Sequence, residues 1–149
     1  MATAEVTGAP YVGPVSPPWT AVLHEWVTTV DHKKIGIMYV IMAVVFLIVG
    51  GAQALLVRWQ LILPRYDFLG PDTFNQMFTM HGTTMVFFMG IPILVGMGNY
   101  LVPLMIGARD MAFPRLNALG FWVTLLGGLL VYFSFATGRS EERRVGKEC

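Results

Sequence analysis

Residues 35–57, IGIMYVIMAVVFLIVGGAQALLV, decide the fold. They run 23 residues without a charge, and Gln53 is the only strongly polar member. At 1.5 Å per residue an α-helix of that length covers about 34 Å, enough to cross a hydrocarbon core of about 30 Å. Arg58 closes the run.

Two further apolar runs follow. The connection 58–72 carries Arg58, Pro64, Arg65, Asp67, Gly70 and Pro71. The second run extends from about Thr73 to Ile106, longer than one straight span needs, and Pro92, Gly96, Gly98 and Pro103 predict kinks or a broken second half. The loop GARDMAFPR (107–115) leads to a third run, Leu116 to Phe135, read as a helix over about 114–137. Within it, Gly127-Gly128 offers a neighbouring helix a close approach. Upstream, residues 1–18 hold four prolines and two glycines and read as an extended arm. Residues 19–34, with Trp19 and Trp26, read as a surface-lying lead-in, because tryptophan favours the membrane–water interface. The organisation is therefore an arm and interfacial segment (1–34), then three transmembrane helices (35–138; about 35–57, 73–106 and 114–137).

Composition agrees. Hydrophobic residues make up 55% of the 149 and charged residues 13%, about half the soluble norm of ~25%. A water-soluble domain of this size has nowhere to hide so much apolar surface. A net charge of +1 provides no electrostatic attraction for nucleic acid, which is not expected as a partner. The one cysteine, Cys149, excludes a disulfide framework and any cysteine-cluster metal site. Seven charged residues crowd into Arg139–Cys149, RSEERRVGKEC, while the third run is finishing. That break resembles the translation of a sequencing-library adapter, so residues 139–149 are read as a processing artefact and the natural chain as continuing past Gly138. Lys33-Lys34 before the first span, and Arg109 and Arg115 between the second and third, place the N-terminus and the 107–115 loop on the cytoplasmic side.

His81 stands out chemically. It lies about eight residues, roughly 12 Å, inside the second span, where ionisable groups are costly and function is the default hypothesis. Phe74, Met77, Met85 and Phe88 fall at i−7, i−4, i+4 and i+7. Such an apolar, polarizable face suits a porphyrin plane beside an axial histidine. The same pattern also fits a histidine bonded to a neighbouring helix, with Met and Phe as packing. Arg58 is either a snorkelling arginine or a donor to a cofactor's polar edge at the depth of His81. Asp110 is either a solvated loop acid or a proton-collecting carboxylate at a channel mouth. Asn99 and Asn117 either hold a file of waters or bond helix to helix. His24 and His32 read as polar surface residues.

The segments TVDHKKIGIMY, FTMHGTTMVFFMGIP and GNYLVPLMIGARDMAFPRLNALGFW occur in order across residues 19–138. They resemble the first three spans of haem-copper oxidase subunit I, of the bacterial cytochrome c oxidase type; quinol oxidases share many of these motifs. The resemblance implies an all-α polytopic membrane protein whose three helices belong to a larger bundle. It implies that His81 is an axial ligand of the low-spin haem (haem a) and that Arg58 contacts that haem's periphery. Asp110 would be the entrance acid of a proton pathway, with Asn99 and Asn117 along its lower part. The family often has a second asparagine after Asn117; here Ala118 stands there. The high-spin haem, the copper ligands and the second low-spin haem histidine would lie in later spans, so this fragment alone is expected to be inactive. The parent would be a proton-translocating oxidase of the bacterial inner membrane. It would reduce dioxygen with electrons from cytochrome c beside a copper-containing subunit II. Subunit I of a quinol oxidase, and a non-enzymatic three-span membrane protein, are the competing readings.

Overall fold

The computed structural model describes residues 17–62 and 68–137. Residues 1–16 of the N-terminal arm, Pro64, Arg65 and Asp67 of the first connection, and Arg139–Cys149 lie outside the described residues. The described residues form five α-helices, one of them joined to the next by a wide π-helical turn: α1 (Trp19–Val27), α2 (His32–Gln60), α3 (Pro71–Thr83), the π turn (Thr84–Gly90), α4 (Ile91–Met105) and α5 (Pro114–Ala136). Among the described residues there is no strand. Three helical stretches are long and apolar enough to cross a membrane: His32–Gln60, Pro71–Met105 and Pro114–Ala136.

The lead-in folds as α1, closed where the Thr28 hydroxyl donates to the His24 carbonyl at 2.7 Å. α2 begins three residues earlier than the charge-free run. Asp31 caps it by accepting from the Lys33 N–H at 3.0 Å, so His32, Lys33 and Lys34 form its first turn. Lys34 pairs with Glu25 of α1.

The interior is laid out by α2. Its buried residues include His32, Ile35, Tyr39, Met42, Phe46, Gly50 and Gln53. Their spacing is three or four residues throughout, which keeps one face turned inward from His32 to Gln53. Tyr39 meets Phe121 of α5 edge-on at 5.1 Å. Phe46 meets Phe88 at 5.1 Å and Tyr132 at 5.6 Å. Ile37, Ile41, Val44 and Ile48 on the other faces of α2 stay exposed, as lipid-facing positions should. α2 and α4 approach most closely where two glycines cross: a Cβ on Gly96 would sit 2.8 Å from Tyr39 Cβ and 2.9 Å from the Gly36 carbonyl. On α5, Gly128 admits Phe88, whose Cε1 lies 3.0 Å from where a Cβ would be. Gly127 has open space, so only one of the predicted pair serves close packing.

The second span is not broken in its second half. Helix continues through Gly96, Gly98 and Pro103 to Met105. The irregularity comes earlier, in the π turn, where the Ile91 N–H reaches back five residues to the Val86 carbonyl. Pro92 follows immediately. A proline ring clashes with the carbonyl four residues before it and supplies no N–H; a wider turn upstream absorbs both defects. The loop after α4 turns at Gly107, whose φ of +70° suits glycine.

Candidate functional site

Polar side chains gather at two levels of this apolar bundle. At the first, the His81 Nδ1 lies 2.9 Å from the Gly50 carbonyl oxygen of α2. A carbonyl only accepts, so Nδ1 carries the proton and donates. Nε2 is then the ring nitrogen left over, and no group among the described residues bonds to it. A backbone carbonyl holding one ring nitrogen while the other stays basic is the arrangement that orients a metal-bound imidazole. Gly50 permits the approach: a Cβ there would lie 2.7 Å from Met85 Sδ and 3.3 Å from Thr84 Cγ2.

The predicted apolar face around His81 is only partly free. Met85 lies over Gly50. Phe88 is 8% exposed and packs between Phe46 and Gly128. The π turn, with more residues per turn than an α-helix, shifts side chains after Thr84 off the regular schedule. Met85 and Phe88 are therefore packing residues. Arg58 lies eight residues beyond Gly50, about 12 Å further along α2, not at the depth of His81. Its side chain is exposed and, among the described residues, has no ion pair. Cα–Cβ bonds in a helix tilt toward its N-terminus, which for position 58 is the direction of the Gly50 level.

At the other end of α2, Asp110 Oδ1 lies 3.4 Å from His32 Nδ1 and accepts from the Met111 N–H at 2.8 Å. Asp31 Oδ1 lies 3.7 Å from the same nitrogen. This contact places the start of α2 and the α4–α5 loop at one end of the bundle. Asp110 remains half exposed, but His32 is 2% exposed, and its Nε2 is buried without a partner. His32 is thus no surface residue, contrary to its reading from sequence, whereas His24 is exposed as expected. The omission was avoidable: carrying the spacing 35, 39, 42, 46 back by three residues lands on His32.

Asn99 Nδ2 donates to Asn117 Oδ1 at 2.9 Å, linking α4 to α5, and Asn117 Nδ2 contacts Met111 Sδ at 3.3 Å. The two amides bond to each other directly, which is the helix-to-helix alternative; a file of waters would start from the polar atoms that this bond leaves over. Asp110, Met111, Asn117 and Asn99 are chained in space, so the structure brings the three predicted pathway residues together. It keeps them from His81: His32 and Gly50 are eighteen residues apart on unbroken helix, about 27 Å.

No group of three or more His, Cys, Asp or Glu side chains among the described residues is placed to hold a metal ion. A lone histidine with a fixed tautomer fits instead the axial position of a planar metal cofactor whose other axial ligand comes from elsewhere. A family model described as cytochrome c and quinol oxidase polypeptide I matches residues 34–146. The chain belongs to this oxidase family. The matched range takes in both polar levels and runs into the segment after Gly138. The chain is 52% identical over 122 residues to quinol oxidase subunit 1 of Bacillus subtilis, covering 82% of this chain and 19% of that protein. It is 54% identical over 110 residues to cytochrome c oxidase subunit 1 of Corynebacterium glutamicum, covering 74% and 19%. With the heme-copper oxidase subunit I+III of Aeropyrum pernix it shares 47% over 115 residues, 77% of this chain and 14% of that protein. The chain thus spans about a fifth of the length of these curated relatives. Membership places it in a multi-subunit, membrane-bound oxidase family that carries haem and copper.

The Asn99–Asn117 bond makes a prediction for the full-length protein in detergent. Asn99→Leu leaves the part-buried Asn117 Oδ1 without its donor and should lower stability by about 1 kcal/mol. Asn99→Leu with Asn117→Leu removes both partners and should recover much of that loss. Thermal unfolding checks it; a double variant worse than the sum of the singles contradicts the pairing.

Proposed function

We propose that this chain is the N-terminal, low-spin-haem-holding part of a terminal respiratory oxidase subunit I. The parent protein would reduce dioxygen to water with electrons from cytochrome c and couple that reaction to proton translocation. The single observation carrying this reading is the His81–Gly50 bond, which leaves Nε2 available inside a membrane helix of an oxidase-family chain.

In this reading His81 Nε2 would hold the iron of the low-spin haem, haem a in the cytochrome c oxidase type. When bound, the haem supplies a one-electron redox centre. The protein's part is geometric and electrostatic. Gly50 fixes the tautomer and the ring plane, so that Nε2 is the nitrogen turned away from α2 and available as a ligand. Arg58 offers donors to the cofactor's polar edge, and its positive charge favours the electron-rich form. The high-spin haem, copper and second low-spin ligand belong to later spans, so the fragment alone is read as inactive. Its partners would be a copper-containing subunit II, cytochrome c and membrane lipid.

At the opposite end Asp110 is the proton entrance, half exposed and backed by His32. Protons taken there move toward Asn99 and Asn117. With the N-terminus and the 107–115 loop on the cytoplasmic side of a bacterial inner membrane, protons and electrons reach the protein from opposite faces. The reading of Arg139–Cys149 as a processing artefact stands on its break in composition. A quinol oxidase subunit I is the second reading, favoured by the Bacillus subtilis relative; oxygen uptake by the purified complex with reduced cytochrome c, then with a quinol, separates the two.

In the full-length oxidase His81→Ala should abolish the low-spin haem absorbance, and a spectrum identical to wild type would contradict the ligand role. Asp110→Asn should slow proton uptake by tenfold or more with normal haem content; undiminished proton pumping in vesicles would contradict the entrance role.

A further inference from the structure

A second set of hydrogen bonds brackets His81. The Thr84 hydroxyl donates to the Met80 carbonyl at 2.7 Å, which commits its one proton. Thr84 Oγ1 also bonds to the Tyr132 hydroxyl, so there Tyr132 must be the donor. The phenolic proton being used, Tyr132 accepts from Gln53 Nε2 at 3.4 Å. One direction satisfies every link: Gln53 amide to Tyr132, Tyr132 to Thr84, Thr84 to the Met80 carbonyl. The same logic fixes the Gln53 amide, because turned over it would present an oxygen to a hydroxyl with no proton left to give. Gln53 is 6% exposed, and its Oε1 is buried without a partner, so the first link is the long, less complete one.

The chain joins all three spans and ends on the residue before His81. Gln53 stands three residues from Gly50, one turn along the same face of α2. Thr84 opens the π turn, and its Cγ2 is the group nearest Gly50 after Met85. The His81 segment is therefore held twice. The Gly50 carbonyl grips the imidazole, and the Tyr132–Thr84 pair grips the backbone just before it. α3 passes into a wide turn here, where a rigid α-helix alone would not set the segment's rotation.

We propose that Tyr132 and Thr84, with Gln53 behind them, are positioning residues that set the rotation of the His81 imidazole about its iron bond. This rests on His81 being the haem ligand proposed above. Neither hydroxyl touches the reacting atoms; both act through the Met80 carbonyl and the first residue of the π turn.

The test uses the assembled full-length oxidase. Its readouts are haem content and the electron paramagnetic resonance g values of the ferric low-spin haem, which report the relative orientation of two axial imidazole planes. Tyr132→Phe keeps the ring beside Phe46 and removes the hydroxyl. Thr84→Val keeps the methyl toward Gly50 and removes the hydroxyl, and Thr84→Ser does the reverse. The expected result is full haem content with shifted g values for Tyr132→Phe and Thr84→Val, and wild-type values for Thr84→Ser. Loss of haem in the first two variants, restored by Thr84→Ser, supports the same account. Wild-type g values in Tyr132→Phe and Thr84→Val would overturn it, as would a Thr84→Ser variant that behaves like Thr84→Val. The ligand reading is tested separately, in the same complex, by His81→Ala. Low-spin haem persisting there defeats that reading, whereas unshifted g values in the hydroxyl variants defeat only the positioning role.

Discussion

One hydrogen bond organises the chemistry of this chain. In the low-dielectric interior of a membrane bundle, a histidine must be satisfied at both ring nitrogens or stand ready to bind something. The Gly50 carbonyl satisfies one of them and, by accepting only, settles which nitrogen is left over. The rest of the local structure protects that contact. Gly50 has no side chain to hold α2 away, Met85 and Thr84 fill the space a Cβ would need, and the π turn rearranges the helix just beyond. A tilted aromatic contact between Phe46 and Tyr132, worth about 0.5–1.5 kcal/mol beyond its burial, ties α5 to α2 one turn from Gly50.

The second organising element is the inward face of α2, which serves as a ruler. His32 marks one end, Gly50 and Gln53 the other, and the residues between are apolar or aromatic. The polar groups are thus kept at two levels about 27 Å apart, with a packed apolar segment between them. Such a separation suits a protein that takes electrons and protons from different sides, since neither site electrostatically disturbs the other at that distance. The chain's own helices supply only one flank of each site; the family's remaining spans, four-fifths of its relatives' length, would enclose them.

Much of this was legible in the amino-acid sequence. Three charge-free or nearly charge-free runs predict the three spanning helices to within a few residues, because bilayer thickness dictates their length. His81, Asp110, Asn99 and Asn117 stand out as polar groups in apolar or boundary surroundings. What sequence reasoning misplaced has identifiable causes. Pro92 was expected to break the span after it, but a proline's defect is accommodated one turn upstream, so the irregularity lies at Thr84–Gly90. Phe88 was expected beside His81 by counting in steps of 3.6, and the π turn invalidates that count. His32 reads as a surface residue because it stands among Asp31, Lys33 and Lys34, although it continues the inward spacing of α2; its contact with Asp110, 78 positions away, only the folded chain reveals. The Tyr132–Thr84 bond is equally non-local.

The most direct test of the account is a high-resolution cryo-electron microscopy map of the intact oxidase complex in a lipid nanodisc. The account predicts porphyrin density with its iron on His81 Nε2 and with Nδ1 within hydrogen-bond distance of the Gly50 carbonyl. A map with iron on Nδ1, or with no porphyrin at His81, would contradict it.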